Sequence, residues 1–249
     1  MDMTVKTDFI SKWDKYFPGA ELPITFYYTD QEGRGVMAPP PSAHQCIIAP
    51  LAKIRNGDSL CFGAESIGCF GGKRFAGFKT ELSPTFAYFL SCGIPGKMEG
   101  ERYKKTPELV TEWVKNSAEF KAPAKYLVFK RFDKLEADDS PEAVIFFAPP
   151  DVLSGLFTLA NYEESEANGV FSPFSAGCGT IIRYPYLENR SDRPRGVLGM
   201  FDVSARPFVG KDILTFAVPM NRFLRMADNM DESFLITPAW ERVKNRISA

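Results

Sequence analysis

Two apolar segments, each ending in proline, most constrain the fold of this chain. Residues 144–150 and 213–219 contain a single polar side chain between them, Thr215. A strand that is apolar along its length is typical of a sheet covered on both faces. Proline lacks a backbone donor but fits the first turn of a helix, and apolar residues at helical spacing follow both segments. The pattern predicts two strand–proline–helix units in the C-terminal half.

Shorter patterns indicate the rest of the fold. Amphipathic spacing predicts helices over residues 9–17 and 46–54, and Thr106 followed by Pro107 marks the start of a further helix. β-branched and aromatic residues favour strands. These predicted strands are residues 24–28 and 59–62, and a closing helix is predicted over residues 238–247. We expect a single α+β domain over residues 1–249, with helices packed on a mixed β-sheet.

Composition limits the compartment and the partners. The chain has 249 residues, 45% of them apolar, and 30 basic residues against 31 acidic ones. Because the net charge is −1, no overall field favours nucleic acid or an anionic membrane. No apolar stretch is long enough to span a bilayer, and the N-terminus lacks the layout of a signal peptide. Five scattered cysteines favour free thiols in a reducing cytoplasm.

The single histidine, His44, removes several standard mechanisms. A Ser-His-Asp or Cys-His hydrolase would have to use this one residue as its base. A histidine-rich zinc or iron site is excluded, and neither a P-loop nor a Rossmann glycine motif is present. We expect His44 to be structural or exposed to solvent.

The first candidate site is a cysteine–glycine segment. Cys69 is followed by Gly71 and Gly72, and then by Lys73 and Arg74. Glycine lets a ligand approach the main chain closely, and the two basic side chains would compensate a negative charge. These five residues predict a binding site for a small anionic ligand. The alternative is a tight glycine turn beside a buried, inert cysteine.

Two further cysteines extend this hypothesis. Cys178 lies between two glycines, and Cys46 lies on the helix predicted over residues 46–54. With Cys69 they supply three thiols that folding could bring together, as an iron–sulfur cluster or a thiolate metal site requires. The alternative is that all three are simple core cysteines, as we expect Cys61 and Cys92 to be.

Charged residues in the second half form a fourth candidate. Acidic residues follow the first of the two predicted units, and arginines follow Cys178. They are Glu163, Glu164, Arg183, Arg190, Arg193, Arg195 and Arg206. Carboxylates and guanidinium groups near one loop could bind a polar ligand or pair with one another, and surface ion pairs are the commoner outcome.

Several of these segments together resemble a known family. They are Cys46 with Ala49-Pro50-Leu51-Ala52, Gly68-Cys69 with Gly71-Gly72, Ala148-Pro149, Asn161-Tyr162-Glu163 and Gly177-Cys178-Gly179. The combination resembles the bacterial and archaeal domain of unknown function 169 family, from about residue 24 to residue 242. Phe70 departs from this pattern, since proline is frequent there in the family. The resemblance implies that Cys46, Cys69 and Cys178 belong to a recurring pattern, and it implies no particular reaction.

Three functional hypotheses follow. The first is a cytoplasmic binding module with a thiol- and glycine-lined pocket for a small anionic ligand or cofactor, formed by Cys69, Gly71, Gly72, Lys73, Arg74 and Cys178. The second is a redox protein that holds an iron–sulfur cluster or a metal through Cys46, Cys69 and Cys178. The third is a non-catalytic subunit that acts through a protein partner. We expect no nucleic-acid or membrane partner, and homo-oligomerisation is compatible with all three.

Overall fold

The computed structural model describes residues 1–247, which form helices and strands around one mixed sheet. The α-helices in this range are α1 (Met3–Tyr16), α2 (Leu51–Arg55), α3 (Phe70–Phe75), α4 (Phe86–Phe89), α5 (Pro107–Lys115), α6 (Pro150–Ala160), α7 (Tyr184–Glu188), α8 (Met220–Asp228) and α9 (Pro238–Ile247). The strands are β1 (Ile24–Thr29), β2 (Val36–Met37), β3 (Ser59–Phe62), β4 (Tyr126–Arg131), β5 (Ala143–Ala148), β6 (Val170–Phe171), β7 (Gly196–Gly199) and β8 (Leu214–Pro219). The α+β prediction is confirmed.

The eight strands have the order β2-β3-β4-β1-β5-β8-β7-β6. Each edge pair, β2 with β3 and β6 with β7, is parallel, whereas the pairs between them are antiparallel. Both predicted strand–proline–helix units are present, as β5 with α6 and β8 with α8. Every residue of β5 is buried, which agrees with a sheet covered on both faces.

The two halves of the sheet repeat one arrangement about the antiparallel pair of β1 and β5. In each half the first strand lies at the centre, followed outward by the fourth, the third and the second. The registers also agree. Ile24 opens β1 opposite the last residue of β4, and Ala143 opens β5 opposite the last residue of β8. The second residue of the third strand faces the fourth residue of the fourth strand in both halves, as Leu60 with Phe129 and Val197 with Ala217. The repeat therefore relates β1–β4 to β5–β8.

One face of the sheet carries most of the aromatic core. Helices α1, α6, α8 and α9 pack on this face against alternate residues of β5 and β8. Phe9 of α1 makes edge contacts with Phe132, Phe146 and Phe223, with ring centroids 4.7 to 6.4 Å apart. Such aromatic clusters bury large apolar areas.

One predicted helix begins later than expected. Residues 46–54 were expected to be helical, but α2 begins at Leu51 and residues 47–50 form turns. Pro50 caps α2, which is the position at which proline is tolerated because its missing N–H has no helical partner to lose. Cys46 therefore lies in an irregular segment, outside the helix.

Residues Lys79–Lys121 form a compact unit of their own, containing α4 and α5. The sequence signal for α5 is confirmed, since Thr106 accepts a hydrogen bond from the Leu109 N–H at 3.4 Å and Pro107 is the first helical residue. Within residues 1–247, no helix has the length and apolar character needed to cross a membrane.

Candidate functional site

The short helix α3 displays the cysteine–glycine segment. Cys69 is its N-cap residue, and its side chain makes no capping hydrogen bond. Its backbone carbonyl accepts a hydrogen bond from the Lys73 N–H at 3.0 Å. A Cβ atom on Gly71 would lie 3.7 Å from the Cys69 sulfur, so the thiol extends over the first turn of the helix. The half-buried Lys73 and Arg74 occupy the second turn.

Glycine contacts hold the start of α3 against the segment that contains Cys46. A Cβ atom on Gly68 would lie 3.0 Å from the carbonyl oxygen of Ala43, and one on Gly72 would lie 3.5 Å from Cβ of Ile47. Glycine permits the two backbones to approach this closely. Because Ala43 and Ile47 lie on either side of Cys46, these contacts hold Cys46 beside α3.

Cys178 lies on a third segment that meets the same helix. It directly precedes a π-helical turn, Gly179–Arg183, which continues into α7. A Cβ atom on the first residue of this turn would lie 2.8 Å from Cδ1 of Phe75, so the turn packs against the end of α3. The Gly177 N–H donates to Oδ2 of Asp202 at 2.9 Å. The Cys178 segment therefore contacts both α3 and the loop after β7.

The thiols of Cys46 and Cys178 lie near the Cys69 thiol and near the carboxylate of Asp202. Burial raises the pKa of the Cys46 thiol, an N–H from Ile48 offsets part of this, and the nearby Cys69 and Asp202 raise it further. Cys178 is fully buried, and its pKa lies well above the ordinary value. Burial is the main cause, and Cys69, Cys46 and Asp202 add to it. Both groups are therefore neutral thiols at neutral pH.

The structure thus brings together Cys46, Cys69 and Cys178, and it adds Asp202, which sequence reasoning missed. No sequence signal distinguishes Asp202 from other loop carboxylates, because its role depends on contact with a distant segment. The two remaining cysteines lie elsewhere. Cys61 is buried in β3, as expected, whereas Cys92 is exposed, so its prediction as a core residue was wrong. A position near the end of a helical turn does not bury a side chain by itself.

The spacing of the three sulfurs restricts the metal they could hold. In residues 1–247, the only three ligand atoms of this type within 4.8 Å of one another belong to Glu136, Asp138 and Asp139. Since a Zn–S bond is about 2.3 Å long, two thiolates on one ion lie at most about 4.6 Å apart. The three thiols are therefore not arranged around a single ion.

The acidic group itself is neutralised by protein cations. Lys130 Nζ lies 2.7 Å from Glu136 and 2.9 Å from Asp139. Arg34 lies 2.5 Å from Asp138 and 2.7 Å from Asp139. Two cations already satisfy these carboxylates, so this cluster is a structural ion-pair network.

The arginines of the second half mostly pair with carboxylates. Arg193 lies 2.7 Å from Glu166, and Arg195 lies 2.8 Å from Glu188. Arg190 lies 2.9 Å from Glu142. These contacts confirm ion pairing for this part of the charged segment. Arg193, Arg195 and Glu188 line a surface cleft of about 360 Å³ that contains both acidic and basic side chains.

Two arginines of this set have no carboxylate partner in the described part of the chain. Arg206 donates to the carbonyl oxygens of Gly210, Lys211 and Ile213, whereas Arg183 is buried among rings. Only 4% of its surface is exposed, and its guanidinium lies 5.9 Å from the ring centre of Phe75 and 5.7 Å from that of Tyr184. Its Nε atom is buried and has no hydrogen-bond partner in the described part of the chain. Burial lowers the pKa of Arg183, and the neighbouring Arg74 lowers it further.

Comparison with protein-family models identifies the chain. The model of the DUF169 family (domain of unknown function 169), described as "Uncharacterised ArCR", matches residues 21–229. The chain belongs to this family. Searches of curated proteins and of solved structures returned no significant match. The match confirms the resemblance carried by the cysteine and glycine segments, and it extends over all the residues of the thiol cluster.

Proposed function

We propose that this DUF169 protein is a redox protein that holds an iron–sulfur cluster through Cys46, Cys69 and Cys178. The observation that carries the proposal is the convergence of the three thiols. They come from three separate segments, and glycine contacts lock each segment to the next. Core cysteines have no need of such contacts with one another, whereas a thiolate-ligated centre requires them.

The spacing of the sulfurs favours a polynuclear centre over a single metal ion. In a [4Fe–4S] cluster, each cysteine binds a different iron atom, so the sulfurs stand farther apart than they do around one zinc ion. The three thiols of this chain do not lie within 4.8 Å of one another, so a cluster of this type is the thiolate centre that we propose. Asp202 offers an oxygen donor as a fourth ligand.

The protein residues would set the properties of the centre. A bound iron–sulfur cluster supplies one-electron transfer. The burial of Cys178 would limit access of water to that side of the site, and low solvent exposure is one determinant of cluster potential. The Gly177 N–H fixes the Asp202 carboxylate in its orientation.

A small anionic ligand at Cys69, Gly71, Gly72, Lys73 and Arg74 is the second candidate. Its support is the first turn of α3, where Phe70 and Gly71 are half-buried and the N-cap side chain makes no hydrogen bond to the amide groups. Asp202 opposes it, because an anion at the thiol end would meet a carboxylate. If Gly71→Val leaves folding and all ligand-dependent stabilisation intact, this candidate fails.

Three further expectations stay predictions. A subunit that acts only through a protein partner would need neither a metal nor thiols brought together, so wild-type protein that is free of metal would favour it. Homo-oligomerisation and the cytoplasmic location are likewise predictions, and light scattering on the purified protein measures the oligomeric state directly.

The deciding experiment is chemical analysis of protein purified without oxygen. We expect a brown protein with iron and acid-labile sulfide in equal amounts. Cys46→Ser, Cys69→Ser and Cys178→Ser should each lose most of both, whereas Cys92→Ser, at an exposed cysteine outside the site, should keep them. Circular dichroism of each variant checks that its fold is retained. A colourless, metal-free wild-type protein whose three thiols alkylate freely would overturn the proposal.

A further inference from the structure

We infer that Arg183 anchors a binding site for an oxyanion beside Phe75, the last residue of α3. The ligand class is a phosphate or carboxylate group, whose oxygens match the hydrogen-bonding edge of a guanidinium. Cys69 lies six residue steps before Phe75, which corresponds to roughly 9 Å along the helix axis. The Arg183 site is therefore a neighbour of the thiol cluster, with a different ligand.

The first step of the argument is that the position of Arg183 is imposed by the fold. It ends the π-helical turn that begins at Gly179, and π-helical turns are rare and often functional. Its guanidinium lies near two aromatic rings, 5.9 Å from the centre of Phe75 and 5.7 Å from that of Tyr184. Aromatic rings attract a guanidinium but accept no ordinary hydrogen bond from its N–H edge, so these neighbours leave its donors for a ligand.

The second step is that the described protein supplies no acceptor for those donors. Nε of Arg183 is buried without a partner, and within residues 1–247 no carboxylate pairs with its guanidinium. The charged neighbour that acts on it is Arg74, a second cation. A buried charge without a counter-charge is strongly disfavoured, so the arrangement needs an anion from outside the chain.

The third step is the contrast with the other buried cations of the protein. Lys130 is 3% exposed and pairs with Asp139 at 2.9 Å. Arg222, also 3% exposed, pairs with Glu164. The fold satisfies both of these charges internally. Arg183 has no such internal counter-charge, and the nearby Arg74 adds further positive charge. The electrostatic potential at this point therefore excludes a cationic ligand and favours an anionic one.

Thermal unfolding of the purified wild-type protein tests the site. The probes are inorganic phosphate and succinate, each compared with chloride at the same ionic strength and pH. We expect the Tm to rise by about 3 °C or more with at least one oxyanion at millimolar concentration and to stay constant with chloride. The arm with the larger rise identifies the ligand as a phosphate or a carboxylate. A Tm that is equal in all three salts would overturn the inference.

Variants assign the effect to Arg183. In chloride, Arg183→Met should raise the Tm, because it removes an unpaired buried charge, and it should abolish the response to the oxyanion. Arg183→Lys keeps the positive charge but loses the planar set of N–H donors. Its Tm should therefore rise less with the oxyanion than that of wild type. An Arg183→Met protein that responds as strongly as wild type would overturn the inference.

A matched control and a metal assay keep this result separate from the thiol proposal. Arg195 also stacks on a ring, with its guanidinium 4.0 Å from the centre of Phe171, but it pairs with Glu188. Arg195→Met should therefore keep the full oxyanion response. The iron content of Arg183→Met should equal that of wild type, since the three thiols are unchanged, so failure of either proposal leaves the other intact.

Discussion

The two halves of the sheet share strand order and register, yet their connections differ in chemistry. Cys46 lies between the second and third strands of its half, and Cys178 lies at the same stage of the other half. After the third strand, the first half supplies Cys69 and the second half supplies Asp202. The two halves of the sheet therefore carry a thiol at equivalent positions, Cys46 and Cys178. After the third strand they carry different groups, a thiol in one half and a carboxylate in the other. The comparison teaches that the strands position these segments, whereas the connections determine which side chains they bring together.

Buried charge differs between the halves in the same way. The first half buries Lys130 on β4 and satisfies it with Asp139. The second half pairs the buried Arg222 with Glu164, but it also buries Arg183 after Cys178 and provides no carboxylate for it among the described residues. A satisfied charge is part of the fold, whereas Arg183 is the buried charge for which we infer an external anion.

The largest expected effect comes from removing the counter-charge of the buried Lys130. Asp139→Ala leaves the buried Lys130 with a single partner, Glu136, so the free energy of unfolding should fall by about 3–5 kcal/mol. Urea denaturation measures it. Asp138→Ala removes an exposed partner of Arg34 and should cost about 1 kcal/mol or less. Equal losses in the two variants would show that burial of the pair is unimportant.

The pH dependence of stability provides a second test of the same pair. Burial alone would raise the pKa of Asp139, but the nearby Tyr27 hydroxyl, a hydrogen bond from the Glu136 N–H and the charge of Lys130 lower it below the usual value. A lowered carboxyl pKa contributes stability that is complete above the unfolded value of about 4 and is lost as the pH falls further. The stability difference between wild type and Asp139→Ala should therefore shrink below about pH 4. A difference that grows on acidification would contradict this assignment.

A third, smaller effect concerns the contact that joins the halves at the site. In Gly179→Ala the new Cβ atom would clash with Oγ of Ser175 and would lie 2.8 Å from Cδ1 of Phe75, so the π-helical turn must shift against both its own preceding loop and α3. We expect a loss of about 1–3 kcal/mol in unfolding free energy and a lower iron content. Gly63→Ala is the control, because its Cβ atom would make only an ordinary contact, 3.8 Å from Tyr126. Unchanged iron in Gly179→Ala would show that this contact does not hold the thiols in place.

The smallest effect on stability is expected at Asp202, which follows the third strand of the second half as Cys69 follows that of the first half. Asp202→Ala removes the acceptor of the Gly177 N–H, which should cost about 1 kcal/mol of stability and about tenfold in metal affinity. Asp202→Asn keeps the acceptor and removes the charge. If the carboxylate is a ligand, both variants should bind iron more weakly. Normal binding by Asp202→Asn alone would show that the residue only orients the loop.

Local sequence patterns correctly predicted the helices and strands whose bounds depend on residues close together in the chain. The strand at residues 59–62, the cap at Thr106 and the helix Pro238–Ile247 match their predicted bounds, because burial patterns, caps and prolines act over a few residues. The helix expected from residue 46 failed at Pro50, since an apolar run does not distinguish a helix from a buried turn.

The rest depends on contacts between distant residues. Nothing near β1 indicates that it pairs with β5, so the repeat was visible only in the registers. The sequence named three cysteines as partners but had no means to add Asp202. It also named Arg183 only as one loop arginine among several, because the lack of a counter-charge is a property of the folded surroundings.

The most direct test of the central claim is anomalous scattering at the iron edge from crystals of protein purified without oxygen. The account predicts one strong peak per chain, bonded to the sulfurs of Cys46, Cys69 and Cys178. Three free thiols with no peak beside them would contradict it, as would a peak at the carboxylates around Asp139.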